Sequence, residues 1–360
     1  MKINCLKLTN FRNYENLEIT LDDGINLIYG DNASGKTNLV ESIVLCSLGK
    51  SFRTNEDINL IKKNQEFAKI ELVYQTAKTN RIKFVVSENG KRVEVNDVKV
   101  DRLSHLAGTL LTLTFVPEDA SMLKDSPGVR RKFLDISISS LEKNYLDNLL
   151  EYRNLLKQRN AILKEENVDL ILLETIEEKM LESQFAISNH RRKVLVELES
   201  RLKTIFNKID RKENQIKIKY VSDFAVSKPY EEFKEIAKKK YLETRENDLR
   251  KKNTSIGIHR DDLKIILNGF EVGEYASQGQ NRLIVLSLKL ALAQLIKEKA
   301  KEDPIVILDD VLSELDNLHQ DRLIEELKGY EQVFITSAKK ENLENVTEYH
   351  VRENLVIRRN

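Results

Sequence analysis

Apolar and polar residues alternate along Lys2 to Thr9, and the stretches Ile25 to Tyr29, Ile70 to Tyr74 and Leu110 to Val116 have the length and β-branched composition of strands. Lys83 to Val86 and Lys91 to Val95 flank Asn89-Gly90, a dipeptide that readily takes the positive φ angles of a tight hairpin turn, and a second turn is predicted at Asn96-Asp97. From Ser121 to Arg250 the strand runs disappear. Apolar residues recur there at helical spacing, as in Leu195, Leu198, Leu202, Ile205 and Ile209, which predicts a helical insert. Beyond residue 253 the mixed pattern returns: strands over Leu263 to Leu267, Ile305 to Leu308 and Val333 to Thr336, with helices over Gly279 to Ala300 and Leu315 to Leu327. Strands alternating with helices imply an α/β fold with a parallel sheet, begun in the first third and resumed in the last. The domain reading is a head made of residues 1–120 and 253–360, interrupted by a helical lobe at 121–252.

Composition narrows the class. With 360 residues, 41% apolar and 32% charged, the chain suits a globular protein of two domains and excludes a disordered or collagen-like one. No run approaches the roughly 20 apolar residues that span a bilayer, and charges break the N-terminal stretch before a signal-peptide core forms, so the expectation is a cytoplasmic protein without membrane contact. Cys5 and Cys46 each stand alone in an apolar stretch, so neither a disulfide framework nor a four-ligand zinc site can be built from them, and both are expected to be buried packing residues. A net charge of +1 neither supports nor excludes nucleic acid, but the insert, Ser121 to Arg250, carries 27 Lys plus Arg against 23 Asp plus Glu. Its basic residues crowd between Arg191 and Lys219, where the plain reading is a solvated helix face.

The candidate chemistry begins at Gly30-Asp31-Asn32-Ala33-Ser34-Gly35-Lys36-Thr37, a phosphate-loop pattern that follows the apolar strand Ile25 to Tyr29 and opens a helical run from Lys36 to Leu48. Glycines let backbone N–H groups curl around a phosphate chain and the helix N-terminus adds a favourable field. Gly30, Asn32, Ser34, Gly35, Lys36, Thr37 and Asn38 are therefore the candidate ATP contacts, with Lys36 reaching the β- and γ-phosphates and Thr37 ligating Mg²⁺. The second element is the buried strand Ile305 to Leu308, which ends in Asp309-Asp310. Carboxylates at the end of a parallel strand lie beside such a loop, so Asp309 is placed on Mg²⁺ and Asp310 on the attacking water. Lys36, Asp309 and Asp310 are the candidate catalytic residues.

Ser277-Gln278-Gly279-Gln280 at a helix start and Ser313-Glu314-Leu315-Asp316 after the acid pair resemble the signature loop and D-loop of ABC-type ATPases. An ordinary helix N-cap at Ser277 is the alternative. Asn10 to Tyr14, Phe115 to Asp119, Ser126 to Asp135 and Gly257 to Leu263 further resemble the RecF family of recombination mediators, over most of the chain, with the insert from about 136 to 250 the least diagnostic part. The resemblance implies an ABC-type P-loop ATPase head with mixed sheets and an inserted helical lobe. It also implies an ATP-dependent homodimer in which Ser277, Gly279 and Gln280 cap the nucleotide of the opposite subunit, and an early arginine, Arg12, near the phosphates. The implied activity is slow DNA-stimulated ATP hydrolysis, with binding to gapped duplex and single-strand/double-strand junctions and loading of RecA with RecR and RecO.

The chain departs from the wider ABC pattern in three places. Asp310 stands where Glu is usual, Thr336 or Ser337 stands where a His is common, and no glutamine marks the loop between lobes, for which Pro117-Glu118-Asp119 is the candidate. His259, among Arg260, Asp261 and Asp262, reads as a structural hydrogen-bonding residue. A transporter ATPase shares the phosphate motifs but not the insert and flanking motifs; an ATPase with long coiled-coil arms needs far more than roughly 130 inserted residues. An ATP-gated clamp with incidental hydrolysis is the non-enzyme alternative.

Overall fold

The computed structural model describes residues 1–224 and 229–359. The chain divides into two compact units, one of Met1–Ala120, Ile205–Lys212 and Arg282–Asn360, the other of Ser121–Thr204 and Glu213–Asn281.

The first unit contains two sheets. One is antiparallel, in the order β2-β1-β4-β5-β6-β7, from β1 (Lys2–Phe11), β2 (Tyr14–Thr20), β4 (Phe67–Gln75), β5 (Thr79–Ser87), β6 (Gly90–Val95) and β7 (Val98–Lys99). Buried and partly exposed residues alternate along β4, as expected for a sheet with one face on the core. The other sheet has the order β15-β14-β3-β13-β12-β8, from β3 (Gly24–Tyr29), β8 (Thr112–Phe115), β12 (Ile305–Asp309), β13 (Gln332–Ser337), β14 (Val346–Arg352) and β15 (Leu355–Arg359). Its first and last thirds of chain interleave, as the returning pattern predicts: β3, from residue 24 onward, lies between β13 and β14. Every residue of β12 and β13 is buried, the mark of a parallel sheet covered on both faces. Helix α1 (Lys36–Leu48) follows β3, and α8 (Asn317–Leu327) joins β12 to β13.

The second unit holds helices α2 (Pro127–Leu141), α3 (Lys143–Ile162), α4 (Leu170–Asp210) as far as Thr204, and α5 (Tyr230–Lys251), the short α6 (Val272–Tyr275), and the start of α7 (Gln278–Ala300). The helical stripe of Leu195, Leu198, Leu202, Ile205 and Ile209 is buried along α4. It also holds a three-stranded sheet, β11-β10-β9, of β9 (Ile216–Val221), β10 (Asp262–Leu267) and β11 (Phe270–Glu271).

Several expectations need correction. The insert is not free of strands: in β9, Ile216, Ile218 and Tyr220 face inward while Lys217 and Lys219 are exposed, a short alternation hidden by the lysines. Because β9 pairs with β10, residues 253–281 group with the second unit rather than the head, and 205–212 group with the head. In the β5–β6 turn only Gly90 takes a positive φ, 108°, whereas Asn96 and Asp97 both do, at 51° and 64°. Helix α8 starts two residues after Leu315 because the Asp316 carboxylate accepts from the His319 N–H at 3.0 Å and caps it. Cys46 is buried, but Cys5 is only partly so. No described helix is long and apolar enough to cross a membrane.

Candidate functional site

Three adjacent parallel strands, β3, β13 and β12, end together in the first unit, since Tyr29 pairs with Ser337 and Thr336 with Asp309. Ligands in open α/β sheets sit at such carboxyl ends. The loop from Gly30 to Gly35 leaves β3 here and enters α1. Side chains are excluded at two of its positions. A Cβ on Gly30, at φ 153°, would lie 2.2 Å from the Val351 carbonyl oxygen; one on Gly35, at φ 116°, would lie 2.7 Å from both Asn13 Nδ2 and Tyr14 Oη. Lys36 spans the loop, its ammonium donating to the carbonyls of Gly30 and Asp31, each at 2.7 Å, with one of its three N–H groups left over. The Ser34 hydroxyl is buried without a hydrogen-bond partner among the described residues. An orphaned hydroxyl in a loop closed to a Cβ at Gly30 and Gly35 fits a phosphate group.

The acids are joined through hydroxyls. Asp309 Oδ1 accepts from Thr37 Oγ1 at 3.0 Å and from Thr336 Oγ1 at 2.6 Å, and Thr336 Oγ1 in turn accepts from the Asp310 N–H at 3.0 Å. Asp310 takes the left-handed conformation, φ 52°, and its carbonyl accepts from Ser313 Oγ at 3.0 Å. Burial pushes the Asp309 carboxyl above the ordinary range; the two threonine hydroxyls pull it back, the Asp310 charge pushes it further up, and Arg53 pulls it down. Burial lowers Lys36, opposed by Asp310, Asp309 and Asp31. A threonine hydroxyl and a carboxylate are hard oxygen donors of the kind Mg²⁺ takes.

Arg12, at φ 54°, spends its guanidinium on the buried Glu41, at 2.9 and 2.6 Å, and on the Asn59 carbonyl at 2.6 Å. Asn38 donates to Asn13 Oδ1 at 2.7 Å and accepts from Arg53 at 2.7 Å; Asn32 is exposed on the loop. The candidate lobe-joining turn is a 3-10 turn, Pro117–Ser121, with Asp119 held by the buried Lys289 at 2.5 Å. In the second unit, Ser277 and Gln280 form a reciprocal capping box at the start of α7: Ser277 Oγ accepts from the Gln280 N–H and Gln280 Oε1 from the Ser277 N–H, both at 3.2 Å. Gly279 has open space where a Cβ would stand. Arg282 and Glu314 of the Ser-x-Leu-Asp turn form an ion pair at 2.9 Å.

Sequence reasoning missed three of these residues. Thr336 counted only as a replacement for a histidine, although it bridges both acids; its register with Asp309 was the signal. Glu41, four residues after Thr37 and fully buried, needs a cation and takes Arg12. Arg53 lies within the field of Asp309.

A family model described as the RecF/RecN/SMC N terminal domain matches residues 2–354. The DNA replication and repair proteins RecF of Bacillus pumilus (strain SAFR-032) and Oenococcus oeni (strain ATCC BAA-331 / PSU-1) are 37% and 38% identical over 354 residues, which is 96% of this chain and 96% and 95% of theirs. Two solved structures, of the recombination mediator protein RecF-ATPrS and RecF-ATP in the RecFOR pathway, are each 33% identical with a TM-score of 0.92, covering 99% of this chain and 98% and 97% of theirs. The Smc head domain of Pyrococcus furiosus, at 16% identity and a TM-score of 0.57 over 99% of this chain and 96% of that one, shares the fold. Matched along nearly its whole length, the chain belongs to the RecF family of DNA repair proteins, within the SMC-like ABC-type ATPase superfamily.

Proposed function

We propose that this chain is an ATP-dependent, DNA-binding recombination mediator, which binds Mg-ATP at the loop between β3 and α1, dimerises on it and hydrolyses it slowly when on DNA. The observation that carries the reading is the convergence of the Thr37 and Thr336 hydroxyls on Asp309, beside a glycine-lined loop with an unpartnered Ser34 hydroxyl. The free N–H of Lys36 would meet a terminal phosphate oxygen, with Gly30, Asn32, Ser34, Gly35 and Asn38 completing the cradle. Thr37 and Asp309 would hold Mg²⁺, which when bound supplies compensation for phosphate charge. Asp310 would orient or deprotonate the attacking water. Its arm is one methylene shorter than the usual glutamate, in keeping with slow turnover. Arg12 would join the phosphates only on leaving Glu41.

Ser277, Gly279 and Gln280 would cap the γ-phosphate bound by a second copy, with the capping box holding their loop in shape, so that each site needs both copies. Family membership supports gapped duplex and single-strand/double-strand junctions as the DNA, the cytoplasm as the compartment, and RecR and RecO as partners in loading RecA. The deciding experiment is sedimentation with ATP and gapped DNA, combined with hydrolysis. Asp310→Asn keeps the size but not the charge, so it should bind ATP, accumulate as a dimer on DNA and hydrolyse at least about 10²-fold more slowly. A monomer with normal turnover refutes the assignment. Turnover that DNA leaves unchanged favours the ATP-gated clamp with incidental hydrolysis.

A further inference from the structure

Two segments that the nucleotide chemistry leaves unused, Ser126 to Asp135 and Gly257 to Leu263, meet within the second unit. There they line an open cleft of about 270 Å³, with Arg131, Lys132, Arg153, Arg191 and His259 on its walls. Buried arginines of this unit are saturated. Arg130 grips the Asp262 carboxylate with two nitrogens, at 2.8 and 2.9 Å, and gives the third to backbone carbonyls. Arg191 is spent on Asp135, Asp261, the Ile258 carbonyl and Tyr145.

Arg131, the very next residue after Arg130, is different. It is half-buried, yet among the described contacts it makes one hydrogen bond, to the Asp261 carbonyl at 2.6 Å, and no ion pair. Four of its five N–H donors are unspent among the described contacts, in a place where burial and the charge of Arg191 act against its own and the more distant carboxylates of Asp262, Asp261 and Asp135 favour it. Lys132 is exposed and has no ion pair among the described residues. Arg153 is 57% exposed and among the described residues reaches only Asp135, at 3.1 Å, which Arg191 already holds. Four cations thus line the cleft against one carboxylate on its wall, Asp135, with the buried Asp261 behind Arg191. His259 adds no charge: burial pushes it down to about 4, and its nitrogens are taken by the Tyr152 hydroxyl at 2.8 Å and the Thr254 carbonyl at 3.2 Å. Gly257 allows this wall to close, since a Cβ there would lie 2.4 Å from Tyr152 Oη.

A half-buried guanidinium fork with free donors, flanked by two flexible cations at an open rim, matches one seated phosphate of a longer polyanion. We propose that Arg131, with Lys132 and Arg153 at the rim, seats a backbone phosphate of DNA. This rests on the DNA-binding reading above and adds the residues that make the contact. It contacts no base edge, so it positions DNA without reading sequence.

The test is anisotropy of a labelled gapped duplex with the full chain in ATP, titrated from about 50 to 200 mM salt. Arg131→Ala and Arg153→Ala should each weaken binding roughly tenfold. Each should also lower the slope of log K against log salt by about 0.9, the loss of one phosphate contact on duplex. Arg131→Lys, which keeps the charge, should restore the slope. Arg92→Ala, an exposed cation of the first unit paired with Glu94, should change neither. Arg153 is exposed enough that its variant carries the test even if Arg131→Ala fails to fold. Unchanged slopes in both alanine variants, while the parent protein binds DNA, overturn the proposal and leave the reading intact; a parent protein that ignores DNA in ATP overturns both. Loss of ATP binding with an unchanged DNA slope would assign the phosphate to nucleotide and also overturn it.

Discussion

Thr336→Val removes the hydroxyl that joins the two acids and keeps the size and shape of the side chain. Thr336 is buried, at 1% exposure, and donates at 2.6 Å to a carboxylate. A hydrogen bond to a charged group in such a place is worth about 1.5–3 kcal/mol, and the Asp310 N–H, which loses its acceptor, adds on the order of 1 kcal/mol. The variant should therefore lose about 3 kcal/mol of stability at neutral pH. The pH dependence has a definite sign. Burial already raises the folded pKa of Asp309 and Thr336 opposes that rise, so the substitution raises it further. A carboxyl whose folded pKa lies above its unfolded value binds more protons when folded, so stability falls as pH rises between the two values and the penalty is complete above the folded one. The deficit of the variant should be full above its folded value and shrink toward the unfolded carboxylate value, about 4. Urea unfolding at several pH values measures this, and steady-state hydrolysis should fall at least roughly tenfold as Asp310 loses its anchor. Thr336→Ser, which keeps the hydroxyl, should recover most of both. A Val variant with the parent unfolding midpoint at pH 7, or a deficit independent of pH, would refute the reasoning.

Lys36→Ala should sharply reduce Mg-ATP affinity or hydrolysis, and Lys36→Arg should bind but turn over poorly because a planar guanidinium is larger than the ammonium; nucleotide binding and turnover assays check both. Ser277→Arg should leave ATP binding by the monomer nearly intact and block dimerisation. Mixed with Lys36→Ala, it should yield a hetero-dimer with one intact composite site, so that two inactive proteins regain partial activity; no rescue by demonstrated hetero-dimers would place the whole site in one chain. Arg159→Ala should cost about 3–5 kcal/mol in urea unfolding, because it strands the buried Asp248 carboxylate, now 2.8 Å from the guanidinium, and leaves the buried Glu177 to Arg245 alone.

Much of the nucleotide site was legible because its parts are contiguous. An apolar strand, a glycine-bearing loop and a helix that starts at Lys36 follow one another in 25 residues, from Gly24 to Leu48, although the groups that leave no room for a Cβ at Gly30 and Gly35, Val351, Asn13 and Tyr14, are supplied by the fold. The capping box of Ser277 and Gln280 is equally local, spanning one helical turn. The long stripe of α4 was readable for the same reason: helical periodicity over ten or more residues survives interruptions that erase a six-residue strand such as β9.

What the tertiary structure decided concerns residues that are distant in sequence or identical in type. Thr336 lies 27 residues beyond Asp309, and only the pairing of β12 with β13 brings its hydroxyl to the carboxylate. The basic stretch from Arg191 to Lys219 reads as one solvated face, but it separates into a buried, saturated Arg191 and exposed lysines on β9. Arg130 and Arg131 are indistinguishable as letters. One turns toward Asp262 on β10 and uses its donors there; the other turns toward an opening and keeps most of its own. Sequence determines that a charge is present, because the side chain carries it wherever the chain runs. Whether that charge is neutralised inside the protein or left to meet a ligand depends on which opposite charges and carbonyls folding brings within hydrogen-bond reach, and for Arg130 the carboxylate comes from Asp262, 132 positions away.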